Sequence, residues 1–181
     1  MQVIIDLTTL EKRGKFKGLE GLIRTYHRKR GLHLVVIYLV AGNWRIPWNY
    51  RVYRGKGHLS AADLGRRLLS TLLKSLRKAF RIMILADCAF GSIPFLKTVR
   101  RLKFHALVGV KKTRKLSDGR AIEHLYQGGQ QIHLVGLPFP VSVAHYYFKR
   151  DDGKRVKRYL ICTRHLKAST LRWWGKRRTA D

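Results

Sequence analysis

Two aspartates stand apart from the other acids of this chain: Asp6, which follows Val3-Ile4-Ile5, and Asp87, which follows Ile82-Met83-Ile84-Leu85-Ala86. Each apolar run has the composition of a buried strand. Each carboxylate is therefore expected at a strand's carboxyl end, the edge where sites form in sheets with parallel neighbours. Most of the remaining aspartates sit where solvation is easy: Asp63 at a helix start, Asp118 before Gly119, and Asp151-Asp152 before Gly153. Two carboxylates facing each other in a partly desolvated crevice are costly unless a cation compensates. A divalent ion is the usual compensation in phosphoryl-transfer sites, and two acids with water and phosphate oxygens suit Mg²⁺. The competing account is that each aspartate pairs with a nearby Lys or Arg, or caps the next turn.

The elements that must position these acids belong to a strongly basic chain. It has 181 residues with 39 Lys plus Arg against 10 Asp plus Glu, a formal charge of +29. Self-repulsion on that scale calls for a polyanionic partner, nucleic acid first and an anionic membrane surface second. A hydrophobic content of 45% with 10% aromatics argues for a folded domain, not a basic tail. The longest apolar run, Leu34 to Ala41, is far short of the roughly 18–20 residues a bilayer helix needs. No membrane span or signal peptide is expected. Cys88 and Cys162 lack Cys-x-x-Cys spacing and read as free thiols in a reducing compartment.

Along the chain the pattern alternates. Val3 to Ile5 is a short strand, and Leu34 to Ala41 a longer one. Gly42-Asn43 is a turn, after which Arg45 to Tyr53 returns as the second arm of a hairpin. Ser60 caps a helix in which Leu64, Leu68, Leu69, Leu72, Leu73, Leu76 and Phe80 recur at helical spacing. Ile82 to Ala86 is a strand, Ser92 to Leu102 a helix with Pro94 in its first turn, and Phe104 to Val110 another strand. Residues 111–165, punctuated by Gly119, Gly128-Gly129, Pro138, Pro140 and Gly153, read as antiparallel hairpins. Leu166 to Trp174 begins a final helix. The order implies an α/β fold with a mixed sheet flanked by helices.

Ile4-Ile5-Asp6-Leu7-Thr8-Thr9-Leu10-Glu11-Lys12, with Gly14-Lys15-Phe16, resembles the first-Asp segment of insertion-sequence DDE transposases. Ile84-Leu85-Ala86-Asp87-Cys88-Ala89-Phe90-Gly91-Ser92, running into Phe95-Leu96, resembles their second-Asp segment. The resemblance covers nearly the whole chain. It implies an RNase H-like catalytic core over residues 1–110, a β-rich insertion over 111–165, and over 166–181 the truncated start of the helix bearing the third acid. It also implies metal-dependent phosphoryl transfer on DNA, that is, end cleavage followed by strand transfer. Asp6 and Asp87 would be ligands of Mg²⁺ or Mn²⁺, and DNA at transposon ends and target would be the partner. The implied assembly is a homodimer in a synaptic complex, and the implied location the cytoplasm, at the nucleoid.

The third acid departs from the family pattern. A Glu is expected after Trp-Gly-Arg-Arg-Trp-x-Ile-Glu. Here Trp174-Gly175-Lys176-Arg177 follows that pattern, and Arg178-Thr179-Ala180 leaves it, with Asp181 in the Glu register. Asp181 as a catalytic acid would have a shorter side chain beside the α-carboxylate of a fraying terminus. The expectation is a partial copy with a short out-of-frame tail, weak or inactive alone, because the end-binding region and the Glu are missing or altered. A Trp-x-Ile-Glu continuation in another frame of the downstream DNA would support this.

Basic residues recur along the chain: Lys12, Arg13, Lys15 and Lys17 after the first acid, Lys111, Lys112, Arg114 and Lys115 after the fifth expected strand, Lys154 to Arg158, and Lys176 and Arg177. Together they suggest a continuous path for the DNA backbone. Trp44 and Trp48 either stack on an unpaired base or pack on the sheet edge. His124, His133, His145 and His165 lack the neighbours of a zinc site and read as polar hairpin residues. Gly109 and Gly128-Gly129 read as turn chemistry. The alternative function is a non-catalytic basic nucleic-acid-binding remnant or module.

Overall fold

The computed structural model describes residues 1–11, 14, 17–26, 28–149 and 152–177. The described residues form nine strands and four α-helices. The chain divides into two compact units, Met1–Leu85 and Ala86–Asp181.

In the first unit, β1 (Gln2–Glu11) pairs antiparallel with β3 (Lys29–Ala41), from Gln2 opposite Val40 to Glu11 opposite Gly31. β2 (Ile23–Tyr26) pairs with the start of β3, and β4 (Trp44–Val52) pairs with the rest of it. β5 (Met83–Ala86) lies on the other side of β1. The Met83 amide donates to the Met1 carbonyl at 3.1 Å and the Met1 ammonium donates to the Arg81 carbonyl at 3.2 Å. The two strands therefore start together and run the same way. Val3, Ile5, Ile37 and Leu39 are buried on one face, as period-2 alternation requires. Against β3 and β4 packs α1 (Ala61–Ser70), with Leu64, Leu68 and Leu69 buried.

Three differences from the sequence expectations stand out here. β1 does not stop at Asp6; thirteen residues of β3 offer partners as far as Glu11, and Thr8 and Thr9 suit a strand. β2 was not anticipated, because basic residues surround its four positions. The single helix expected through Phe80 is broken into α1 and α2 (Lys74–Ala79). The Thr71 hydroxyl donates to the Leu68 carbonyl at 2.8 Å, and the Arg77 guanidinium donates to the Leu72 carbonyl at 2.9 Å. These bonds satisfy the end of α1 without further helix. In consequence Leu73 and Phe80 are about half exposed, not buried with the α1 leucines (51% and 47%).

The start of α1 is as expected. Ser60 Oγ accepts from the Asp63 amide at 3.2 Å and donates to Asp63 Oδ2 at 2.7 Å. That hydroxyl, more than the nearby Arg66, holds the Asp63 carboxyl below its ordinary value of 3.8. Ser60→Ala is expected to destabilise the chain by about 1 kcal/mol at neutral pH. The Asp63 share of this is complete above the ordinary carboxylate value and is lost as pH falls through the depressed folded one. Urea midpoints of the two proteins should therefore converge on the acid side and stay apart at pH 7; midpoints that coincide at pH 7 refute the cap.

In the second unit, a 3₁₀ turn (Cys88–Phe90) leads to α3 (Ile93–Arg101), capped by Ser92 Oγ, which accepts from the Phe95 amide at 3.3 Å. There follow β6 (His105–Val110), β7 (Gly129–Ile132), β8 (Val141–Lys149), β9 (Arg155–Cys162) and α4 (Ala168–Arg177). The strand order is β6-β9-β8-β7, antiparallel throughout. Phe90, Phe95, Leu96 and Val99 are fully buried, as are Val108 and Ile161. α4 packs on β8 and β9, with Leu171 fully buried. Buried Ser142 accepts the Leu166 amide at 3.0 Å, fixing the approach to α4.

Candidate active site

Asp6 lies within β1, opposite Val36 of β3, on the face away from Val3 and Ile5. Its side chain is exposed, not part of a desolvated crevice as the sequence suggested. It makes no hydrogen bond or ion pair among the described residues, although cations outnumber acids almost four to one. The carboxylates of Glu11, Asp63, Asp118 and Glu123, by contrast, each hold a Lys or Arg within 3.1 Å.

Asp87 immediately follows β5, at the strand's carboxyl end as expected, and is partly buried. One carboxylate oxygen, Oδ1, accepts the Ala89 amide at 2.8 Å, which caps the 3₁₀ turn and fixes the side chain. The turn is held against β6 by two glycines. A Cβ on Gly91 would lie 2.7 Å from the Gly109 carbonyl oxygen, and a Cβ on Gly109 would lie 3.1 Å from the Cys88 nitrogen. Gly109 is thus a mid-strand position of close backbone approach, which corrects its assignment to turn chemistry. The Arg114 guanidinium donates to the Gly91 carbonyl and secures the same turn; desolvation lowers its pKa.

Asp87 opens onto a cleft of about 580 Å³. Lys111, Lys112 and Thr113 line one side, after the end of β6. Tyr146 and Phe148 of β8 and Lys157, Arg158 and Tyr159 of β9 line the other. The cleft exists because β6 ends at Val110, opposite Tyr159, while the β8–β9 hairpin continues past it. Lys112 is tethered to Glu123 at 3.1 Å. Lys157 stands over the Tyr159 ring at 5.2 Å and Arg158 near the Phe148 ring at 5.9 Å. The arrangement combines a fixed carboxylate, several cations and aromatic faces, which suits a phosphate-bearing ligand.

The other expected residues are dispersed. Lys17 is exposed in a turn, and Lys115 is exposed beside a smaller cavity that Arg114 also lines. Lys176 and Arg177 lie in the last turn of α4. Lys12, Arg13, Lys15 and Asp181 lie outside the described residues. Trp44 is 75% exposed on β4, and Trp48 is half-buried on the same strand. Among the described residues, no three His, Cys, Asp or Glu side chains gather to hold a metal ion. Sequence reasoning missed Tyr146 and Phe148 as cleft residues; their alternation within Val143 to Phe148 read only as a strand. The Lys154 to Arg158 run was the one signal that pointed there.

Cys88 is exposed beside Asp87, while burial pushes the Cys162 thiol up to about 11. A thiol-specific disulfide reagent at neutral pH should titrate one thiol in the native protein and two in denaturant. Two rapid native thiols would contradict the buried position of Cys162.

Residues 2–179 match a family model described as Transposase DDE domain. No curated protein matches the chain. Among solved structures, the chain resembles one described as the cryo-EM structure of piggyBac transposase synaptic complex with hairpin DNA. The TM-score is 0.55 and the identity 18%, over 94% of this chain and 35% of that one. The likeness is therefore one of fold, and the chain spans about a third of that transposase's length.

Proposed function

This chain belongs to the transposase DDE domain family, and from that premise we propose that it performs metal-dependent phosphoryl transfer on DNA, with Asp6 and Asp87 as carboxylate ligands of Mg²⁺. DDE transposase domains use divalent metal ions. The observation that carries the proposal is Asp87: a carboxylate fixed by the Ala89 amide at the end of β5, opening onto a cleft lined with Lys111, Lys112, Lys157 and Arg158. The hard-oxygen chemistry of both acids fits the metal, and the exposed Asp6 carboxylate is committed to no partner among the described residues. When bound, the metal would activate an attacking oxygen and stabilise a leaving one.

The chain's own residues supply the rest. Asp87 presents oxygen from a rigid turn, so little ordering is needed on binding. Lys111 and Lys112 attract the backbone phosphates, and Lys157 and Arg158 do so from the hairpin. The antiparallel β1, β3 and β4, followed by α1 and by β5 beside β1, support reading the core as RNase H-like. The fold neighbour, a piggyBac transposase in a synaptic complex with hairpin DNA, supports DNA as the partner and is compatible with a synaptic dimer.

A titration with Mn²⁺, followed by electron paramagnetic resonance and competed with Mg²⁺, tests the proposal. Saturable binding that Mg²⁺ displaces is the expected result. Weak, non-saturating association, alongside intact binding of a DNA duplex, would favour the non-catalytic nucleic-acid-binding alternative.

A further inference from the structure

The β8–β9 hairpin and α4 form a second polar cavity of about 480 Å³, lined by His145, Tyr146, Tyr147, Lys149, Arg155 and Arg172. His145 lies opposite Tyr159, Tyr147 opposite Lys157, and Lys149 opposite Arg155. Of the lining side chains, His145, Tyr147, Lys149 and Arg155 share one face of the hairpin, Tyr146 has the opposite parity on β8, and Arg172 comes from α4. Among the described residues, every permanently charged group lining it is a cation. None of Lys149, Arg155 and Arg172 forms an ion pair among the described residues. Like charges gathered without a carboxylate repel one another, and an anion would relieve that repulsion.

His145 is the group that can respond. Its ring meets Tyr147 edge-on, with centroids 6.3 Å apart, and is tilted against Tyr159 at 6.2 Å. Partial burial, and then the charges of Lys157 from β9 and Arg172 from α4, hold its imidazole below the ordinary 6.5. Among the described residues, these groups, with Lys149 and Arg155, are the charged ones facing it from the elements packed around the cavity.

We propose that this cavity binds a phosphodiester of the DNA backbone and that His145 takes up a proton as it does so. The inference rests on the reading of the chain as a DNA-processing domain, but it concerns a second cavity, which shares Tyr146 with the Asp87 cleft and does not include Asp87. A phosphodiester carries one permanent negative charge and accepts hydrogen bonds only. The Arg155 and Arg172 guanidinia and the Lys149 ammonium donate only, and the exposed Tyr147 hydroxyl can add a donor. With the phosphate seated, its negative charge offsets part of the cationic field at His145, and the imidazolium is less disfavoured than in the free chain. Between the depressed free value and the raised bound one, binding takes up a proton, so affinity rises as pH falls through that interval.

The test uses the full chain, a labelled short duplex of arbitrary sequence, and anisotropy titrations over a salt series at about pH 6 and about pH 8, which flank the ordinary histidine value. Calorimetry in two buffers of different ionisation enthalpy counts the protons taken up. Wild-type binding should be roughly three- to tenfold tighter at the lower pH, and His145→Gln should remove most of that difference. Arg172→Ala should reduce the salt slope by about 1, and Arg172→Lys should restore it. Thermal melts establish that each variant is folded. Proton uptake that is the same in His145→Gln as in wild type overturns the proposal, as does an unchanged salt slope in Arg172→Ala. Uptake with inorganic phosphate but none with the duplex overturns the assignment to DNA. A chain that shows the linked proton with the duplex but binds no divalent metal sinks the phosphoryl-transfer reading alone. One that binds metal without the linked proton sinks only this cavity.

Discussion

Asp87→Asn is expected to weaken Mn²⁺ binding by a factor on the order of 10² or more while leaving the fold intact. Loss of a partner one shell removed from a metal already costs roughly 10–100-fold, and a direct ligand costs at least as much. The substitution is nearly isosteric. An asparagine Oδ1 can still accept the Ala89 amide, so the cap on the 3₁₀ turn survives and the lost quantity is the negative charge. Asp6→Asn should lose metal affinity to a comparable degree with even less effect on stability. Asp6 is exposed and has no partner among the described residues, so its change should stay within about 0.5 kcal/mol. Removing one of 10 acids from a chain of charge +29 also adds little to the existing repulsion. The pair therefore separates metal binding from folding: two substitutions neutral in urea midpoint and severe in Mn²⁺ titration. Wild-type Mn²⁺ affinity in a folded Asp87→Asn protein would remove Asp87 from the site.

Gly91→Ala is expected to lower the melting temperature by roughly 3–10 °C, the equivalent of about 1–3 kcal/mol for an overpacked position in a chain of this size. Its added methyl would stand 2.7 Å from the Gly109 carbonyl oxygen and 3.1 Å from Val110 Cγ1. The first neighbour is backbone in the middle of β6, so relief requires the turn after Asp87 to move off the strand. Metal affinity should fall along with stability, because that turn is what orients the carboxylate. Gly21→Ala is the matched control: nothing lies within 4 Å of its added methyl. It should be neutral or stabilise slightly, by about 0.4–1 kcal/mol, through the unfolded chain. Equal melting temperatures for Gly91→Ala and Gly21→Ala would show that the close approach of turn and strand is not rigid.

How much was legible in the sequence differs by element. The Ser60 cap, the Gly42-Asn43 hairpin, the Ser92-capped helix and the strand ending before Asp87 are local patterns, and each formed where residue chemistry predicted. Extents were less legible. Asp6 looks like the end of a strand because the apolar run stops there, yet β1 continues, since a strand's length is set by the partner that satisfies its backbone groups. Gly109 looks like punctuation because only the packed structure reveals the turn pressed against it. His33 reads as one of eight scattered histidines. In the structure it is buried, its Nε2–H donating to the Arg24 carbonyl at 2.9 Å and its Nδ1 accepting from the Thr9 hydroxyl at 2.8 Å. It joins β1 to β2 across β3.

The sequence by itself determined the chemistry available to this protein: a large cationic excess, a pair of acids behind apolar runs, and the order of segments that marks its family. Those properties are carried by residue type and spacing, which do not depend on where the chain goes. The tertiary structure alone decided which cations share a cleft with Asp87, which tyrosines line it, and which histidine sits beside Lys149, Arg155 and Arg172 in the neighbouring cavity. Such juxtapositions come from strand pairing across distant positions, Gly109 with Leu160 and Val110 with Tyr159, and from alternation along β8 and β9. A one-residue shift in register would exchange the two faces of a strand and break up both groupings.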